Sequence, residues 1–226
     1  MIRNAWHFYH ALPLVFKVGM RRHRYCVAHT LSGRYVFGGS VRVFIDHNIW
    51  DELANRQLDL NICFPENEFT LCVTKHGKFE VLQTPENCVE LKSYINKYLG
   101  SFVQVDAKFG FYNPSLQDNE QRAGGFGFGR LSCIEDEAFR KELQNKYGST
   151  AKRKESQILY KQEADIELGV RALKHPVLTL DIKAGPLKDA YERGGKVILL
   201  NRKLIRTLSD DEFVEHIKSA LNKEQT

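Results

Sequence analysis

Leu58, Leu60, Ile62 and Phe64 alternate with Asp59, Asn61 and Cys63, a period of two that gives an extended chain one buried face and one wet face. Pro65-Glu66-Asn67 turns the chain, Phe69, Leu71 and Val73 repeat the alternation, and His76-Gly77 turns it again into Phe79–Leu82. Upstream, Arg34–Phe37 and Val41–Ile45 flank Gly38-Gly39-Ser40, a connection suited to a tight hairpin. Residues 34–83 therefore read as an antiparallel β meander, with a helical interlude at His47–Asn55.

The period then changes. Val89, Leu91, Tyr94, Ile95, Tyr98 and Leu99 fall at helical spacing, with Gly100 placed where a C-cap needs positive φ. Phe102–Val105 and Phe109–Tyr112 read as extended, and 113–123 as a loop carrying Pro114. Helices are expected at Glu135–Tyr147, stopped by Gly148, and at Gln157–Leu173. Val177–Ile182 and Lys196–Leu200 read as strands separated by a loop. Ser209-Asp210-Asp211-Glu212 is a capping box that opens a last helix with Phe213, Ile217 and Leu221 on one stripe. The fold class expected is α+β, an N-terminal antiparallel meander followed by a helix-rich second half. The expected division is a basic arm (1–33), a β-rich lobe (34–148) and a helix-rich lobe (149–226), the lobes flanking a basic cleft.

Charge is concentrated at one end. The first acidic residue is Asp46, and seven basic side chains precede it: Arg3, Lys17, Arg21, Arg22, Arg24, Arg34 and Arg42. Removing these seven from 33 Lys+Arg leaves 26 against 28 Asp+Glu, so the basicity is local. A self-repelling segment without internal counter-charge points to phosphate, and a nucleic-acid-facing arm ranks first. A mitochondrial targeting segment ranks second, being also Arg-rich and acid-poor.

The five cysteines are odd in number and form no C-x-x-C, which fits thiols in a reducing compartment, the cytoplasm, a virion or alternatively a mitochondrion. No stretch approaches the roughly 20 apolar residues of a membrane span. His7-x-x-His10 and His23-x-x-Cys26 have metal-compatible spacing, but neighbouring cations oppose an ion there. No metal, cofactor or catalytic triad is expected.

Gly124-Gly125-Phe126-Gly127-Phe128-Gly129-Arg130 is the most distinctive run. Phe126 and Phe128 on an extended strand would stack unpaired bases, with Arg122 and Arg130 neutralising phosphates. The competing reading is a strand with two core phenylalanines. Asp181-Ile182-Lys183 ends an apolar strand as a carboxylate-x-lysine corner suited to a metal-dependent nuclease. Such a site needs further acids, and the nearest upstream, Asp165 and Glu167, fall on a predicted helix.

Four segments, read in order, resemble the nucleoproteins of the peribunyaviruses: Val41-Arg42-Val43-Phe44-Ile45-Asp46-His47-Asn48, Tyr98-Leu99, Tyr112-Asn113-Pro114-Ser115-Leu116-Gln117-Asp118-Asn119, and Thr207-Leu208-Ser209-Asp210-Asp211-Glu212-Phe213. The chain departs from that family in a shorter central helical region and a more β-rich stretch at 58–82. The resemblance implies two lobes clamping single-stranded RNA, with Arg42, Lys92 and Lys97 nearest the cleft, and oligomers along the strand. The expected function is sequence-independent binding of single-stranded RNA by Arg21, Arg22, Arg24, Arg42, Lys92, Lys97, Arg122, Phe126, Phe128 and Arg130. The alternatives are an organellar protein with a targeting segment and a metal-dependent nuclease using Asp181 and Lys183.

Overall fold

The computed structural model describes residues 40–151 and 158–224. The Arg34–Phe37 strand, the hairpin glycines and the whole basic arm, with Arg21, Arg22 and Arg24, lie outside the described residues. Val41–Thr226 is one compact unit.

Strand β1 (Val41–Ile45) runs into Asp46, whose side chain accepts from the His47 amide and caps α1 (His47–Asn55). Ile49, Trp50 and Leu53 recur at helical spacing and are buried. After α2 (Leu60–Cys63), β2 (Phe69–Thr74) is buried at every position. Thr74 caps α3 (Lys75–Leu82) by accepting from the Gly77 amide. Next come α4 (Val89–Tyr98), β3 (Gln104–Lys108), the two-residue β4 (Gly129–Arg130) and α5 (Ile134–Tyr147). The chain continues through α6 (Glu163–Ala172), β5 (Val177–Thr179), α7 (Pro186–Glu192), β6 (Val197–Leu199), α8 (Arg202–Ile205) and α9 (Asp210–Lys223).

The six strands form one sheet in the order β4-β3-β2-β1-β5-β6, every pair parallel. Val41 lies opposite Phe69 and Phe44 opposite Val177. Alternate residues of β1, β2, β5 and β6 enter two different cores. Val43, Leu71, Leu178 and Ile198 meet α1, α4 and α9 on one face, while Phe44, Cys72, Val177 and Val197 meet α5, α6 and α7 on the other. With both faces covered, this is a doubly wound α/β fold.

The antiparallel meander and the α+β class are thus overturned, as is the picture of two lobes around a basic cleft. The strands at Val41–Ile45 and Phe69–Thr74 exist, but parallel pairing needs a long crossover, and α1 with α2 supplies it. Two helical segments carried the misleading alternation. At 58–64 the buried residues are Leu58, Leu60 and Phe64, whereas Ile62 is 78% exposed. Leu60 and Phe64 are four apart, one turn of helix, and Asp59 caps α2 by accepting from the Asn61 amide. The expected turn at His76-Gly77 is the first turn of α3, where Thr74 satisfies an otherwise orphan amide. The loop expected after Ile182 contains α7, started by Pro186 at its first turn.

Other expectations agree with the structure. Gly100 has φ +86° beyond α4, and Gly148 ends α5. Both bonds of the Ser209–Glu212 capping box are present.

Candidate functional site

The strand order reverses between β1 and β5: the chain winds from β1 out to β4, then returns to place β5 on the other side of β1. In open α/β sheets the crevice beyond the strand ends at such a reversal is where ligands bind. Here it is a cleft of about 310 Å³ lined by Asp46, His47, Asn48, Glu80, Gln162, Asp165, Asp181, Lys183 and the start of α7.

Each wall follows from local folding. Asp46 is the residue after β1 and the cap of α1; Glu80 comes from α3; Asp165 lies in the first turn of α6; Asp181 is two residues past β5. Four carboxylates from four chain segments line the cleft, and one of them, Asp181, pairs with Lys183. The Asp46 carboxylate accepts from the His47 amide at 2.7 Å, Asn48 Nδ2 at 2.8 Å and the Thr179 hydroxyl at 2.7 Å. Asn48 Oδ1 accepts from the Leu180 amide at 3.0 Å, so this side chain ties both strand ends together. Burial pushes the Asp46 carboxyl above its ordinary range, against the hydrogen bonds from Thr179, His47 and Asn48. Lys183 Nζ pairs with Asp181 Oδ2 at 2.8 Å, and the lysine is largely exposed.

A cleft with this donor set suits a hard divalent cation. Oxygen ligands select Mg²⁺ or Mn²⁺ over softer metals. Among the described residues no three acidic, histidine or cysteine side chains form a ready metal cage. Mg²⁺ does not need one, since it keeps several waters and uses one or two carboxylates together with substrate phosphates.

The residues expected to bind RNA are mostly engaged within the chain. Arg42 and Arg130 both pair with Asp106, at 3.5 and 3.4 Å. Arg122 donates to Glu163 at 3.0 Å and to the carbonyls of Glu120 and Ile158 at 2.7 and 2.8 Å. Lys92 pairs with Glu86, and the Lys97 ammonium sits 4.6 Å from the centre of the Tyr98 ring. None of these residues lines the acidic cleft.

Phe126 and Phe128 are 81% and 86% exposed, so neither is a core residue. Phe126 joins Phe109 and Phe111 in an edge-to-face cluster, its ring 5.1 and 6.4 Å from theirs. The glycines beside them answer to backbone crowding at Gly129 and to positive φ at Gly127. A Cβ on Gly129 would stand 2.2 Å from the Gly124 carbonyl oxygen, and Gly127 has φ +86°.

Asp181 and Lys183 were legible in the sequence; Asp165 was weighed beside them and set aside for its place on a helix, and Asp46 and Glu80 were not read as site residues. A shared signal was present. Phe44-Ile45-Asp46 and Thr179-Leu180-Asp181 each place an aspartate directly after an apolar run. That is the pattern of two neighbouring strands ending at one crevice. Among the described residues no helix is long and apolar enough to cross a membrane. Comparison with protein-family models, curated proteins and solved structures finds no significant match to this chain.

Proposed function

We propose that this chain is a divalent-cation-dependent phosphodiesterase acting on single-stranded RNA, with the acidic cleft as its reaction centre. The observation that supports it is the convergence of Asp46, Glu80, Asp165 and Asp181 on the crevice where the strand order reverses. Asp181 and Lys183 need further acids, and Asp46, Glu80 and Asp165, the last from a helix, line the same cleft. Like charges gathered in a partly desolvated cleft repel one another, and a divalent cation offsets that repulsion. When bound, the cation would neutralise phosphate oxygens and lower the pKa of a coordinated water. Asp181 and Asp46 are the residues to hold it, with Asn48 and Thr179 orienting Asp46. Lys183, close to Asp181 yet exposed, is placed to meet a phosphate oxygen.

RNA as substrate is supported by the acid-free N-terminal segment and by the exposed Phe126 and Phe128, which suit unpaired bases. A second reading is RNA binding without cleavage, copies assembling along the strand; the exposed phenylalanines favour it equally. Incubating purified protein with end-labelled single-stranded RNA separates the two. Cleavage that requires Mg²⁺ or Mn²⁺, and that Asp46→Asn and Asp181→Asn abolish, is the expected result. Intact RNA retained by both variants and the parent chain selects binding alone.

A further inference from the structure

Asp106 on β3 is buried and faces three guanidinium groups, Arg171 at 2.7 Å, Arg130 at 3.4 Å and Arg42 at 3.5 Å. Among the described residues no second carboxylate forms an ion pair with them. Glu167, the next carboxylate near Arg171, is held by Arg140 Nε at 2.5 Å and Nη2 at 3.1 Å. Burial keeps the Cys72 thiol protonated. His175 Nε2 accepts from Arg130 Nη1 at 2.8 Å and brings no negative charge.

One carboxylate in direct contact with three guanidinium groups leaves positive charge in excess in a largely desolvated place, eased at Arg171 by the nearby Glu167, and such an excess is costly unless an anion joins it. Donor capacity is also unspent: although the Arg42 guanidinium meets the Cys72 thiol, Nε of Arg42 and Nε of Arg171 are buried with no hydrogen-bond partner among the described residues. The group is not sealed. Arg42 and Arg130 keep 25% and 21% of their side-chain surface open, while Arg171 is 4% exposed.

We propose that Arg42, Arg130 and Arg171 form a phosphate-binding site, with Asp106 as the anchor that fans the three guanidinium groups. Planar guanidinium forks match phosphate oxygens two at a time, and no lysine reproduces that geometry. The site is separate from the acidic cleft: Arg171 lies six residues beyond Asp165 on α6, about 9 Å along the helix axis. It needs no metal and does not depend on catalysis, so it stands or falls apart from the phosphodiesterase reading.

The test is thermal unfolding of the full chain without divalent cations, in millimolar sodium phosphate against sodium chloride of equal ionic strength. A rise in Tm that grows with the logarithm of phosphate and reaches roughly 3–6 °C at tenfold excess over Kd is expected. Arg42→Gln and Arg130→Gln, the two partly open members, should each lose most of it. Line broadening of the ³¹P signal of inorganic phosphate by the parent chain is a second readout that needs no variant. Oligonucleotides with and without a 5′-phosphate identify the source. Tighter binding of the phosphorylated strand marks a terminal phosphate, equal binding lost in Arg130→Gln an internal one, and response to inorganic phosphate alone the free ion. Equal Tm in phosphate and chloride, an unbroadened ³¹P signal, or a full rise in both variants would overturn the proposal.

Discussion

The Thr179 hydroxyl donates to Asp46 at 2.7 Å and joins the ends of β5 and β1, whose residues are 133 positions apart in sequence. The same oxygen accepts from the Asp181 amide at 3.2 Å, so one side chain sets the spacing of two aspartates that face the cleft.

Thr179→Val keeps the shape and removes that donor. On the proposed function, Mg²⁺-dependent cleavage should fall by roughly 10–100-fold, the usual cost of losing a partner that orients a metal ligand. The hydrogen bond favours ionised Asp46, so its loss raises an already elevated pKa. The acidic limb of the pH–rate profile should move to higher pH. An unmoved limb with parental activity would remove Thr179 from the site.

Arg140 and Glu167 make a two-pronged, almost fully buried pair between α5 and α6. Arg140→Ala strips a buried carboxylate of both its hydrogen-bonded prongs and is expected to cost about 3–5 kcal/mol in denaturant unfolding. Replacing both residues with apolar side chains should recover most of that loss. Equal losses for the single and double variants would show that packing, and not the stranded charge, dominates.

Acid should weaken the fold in two stages. Burial and the guanidinium groups of Arg130 and Arg42 bring His175 down to about 4. Its unfolded value is near 6.5, so the unfolded chain takes up the proton first, and stability present above about 6.5 is lost as pH falls toward 4. Burial alone would raise Glu163, but bonds from His76 and Arg122 bring it to about 2. Its contribution is present above the unfolded value near 4.3 and disappears toward pH 2. Urea midpoints from pH 8 to pH 3 should fall in both windows. His175→Gln should flatten the upper one only.

Phe126→Ala and Phe128→Ala should change stability by no more than about 0.5 kcal/mol, because both rings are exposed. If they stack on unpaired bases, each change should weaken single-stranded RNA binding by about 1–3 kcal/mol, read by fluorescence anisotropy. Unchanged affinity in both variants would leave Phe126 and Phe128 without a role in RNA binding.

By itself the sequence determined features that depend on a few neighbouring residues. The capping box at Ser209–Glu212, the stop at Gly148 and the apolar stripe of α9 are settled within a turn or two of helix, and all are as read. The strand positions at 41–45, 69–74, 177–179 and 197–199 were legible too, because buried runs of β-branched and apolar residues are local signals. Tertiary structure decided how those strands pair. The direction of β2 against β1 depends on whether residues 46–68 cross over a face or turn back, and period-two spacing at 58–64 cannot tell a strand from a capped helical turn with Leu60 and Phe64 one turn apart. Parallel pairing in turn decided the candidate site. Asp46, Glu80, Asp165 and Asp181 lie up to 135 positions apart, and only the reversal of strand order beside β1 brings them to one cleft. The same holds for the arginines: their charge is visible in the sequence, but that three of them share one buried aspartate is a property of the folded sheet.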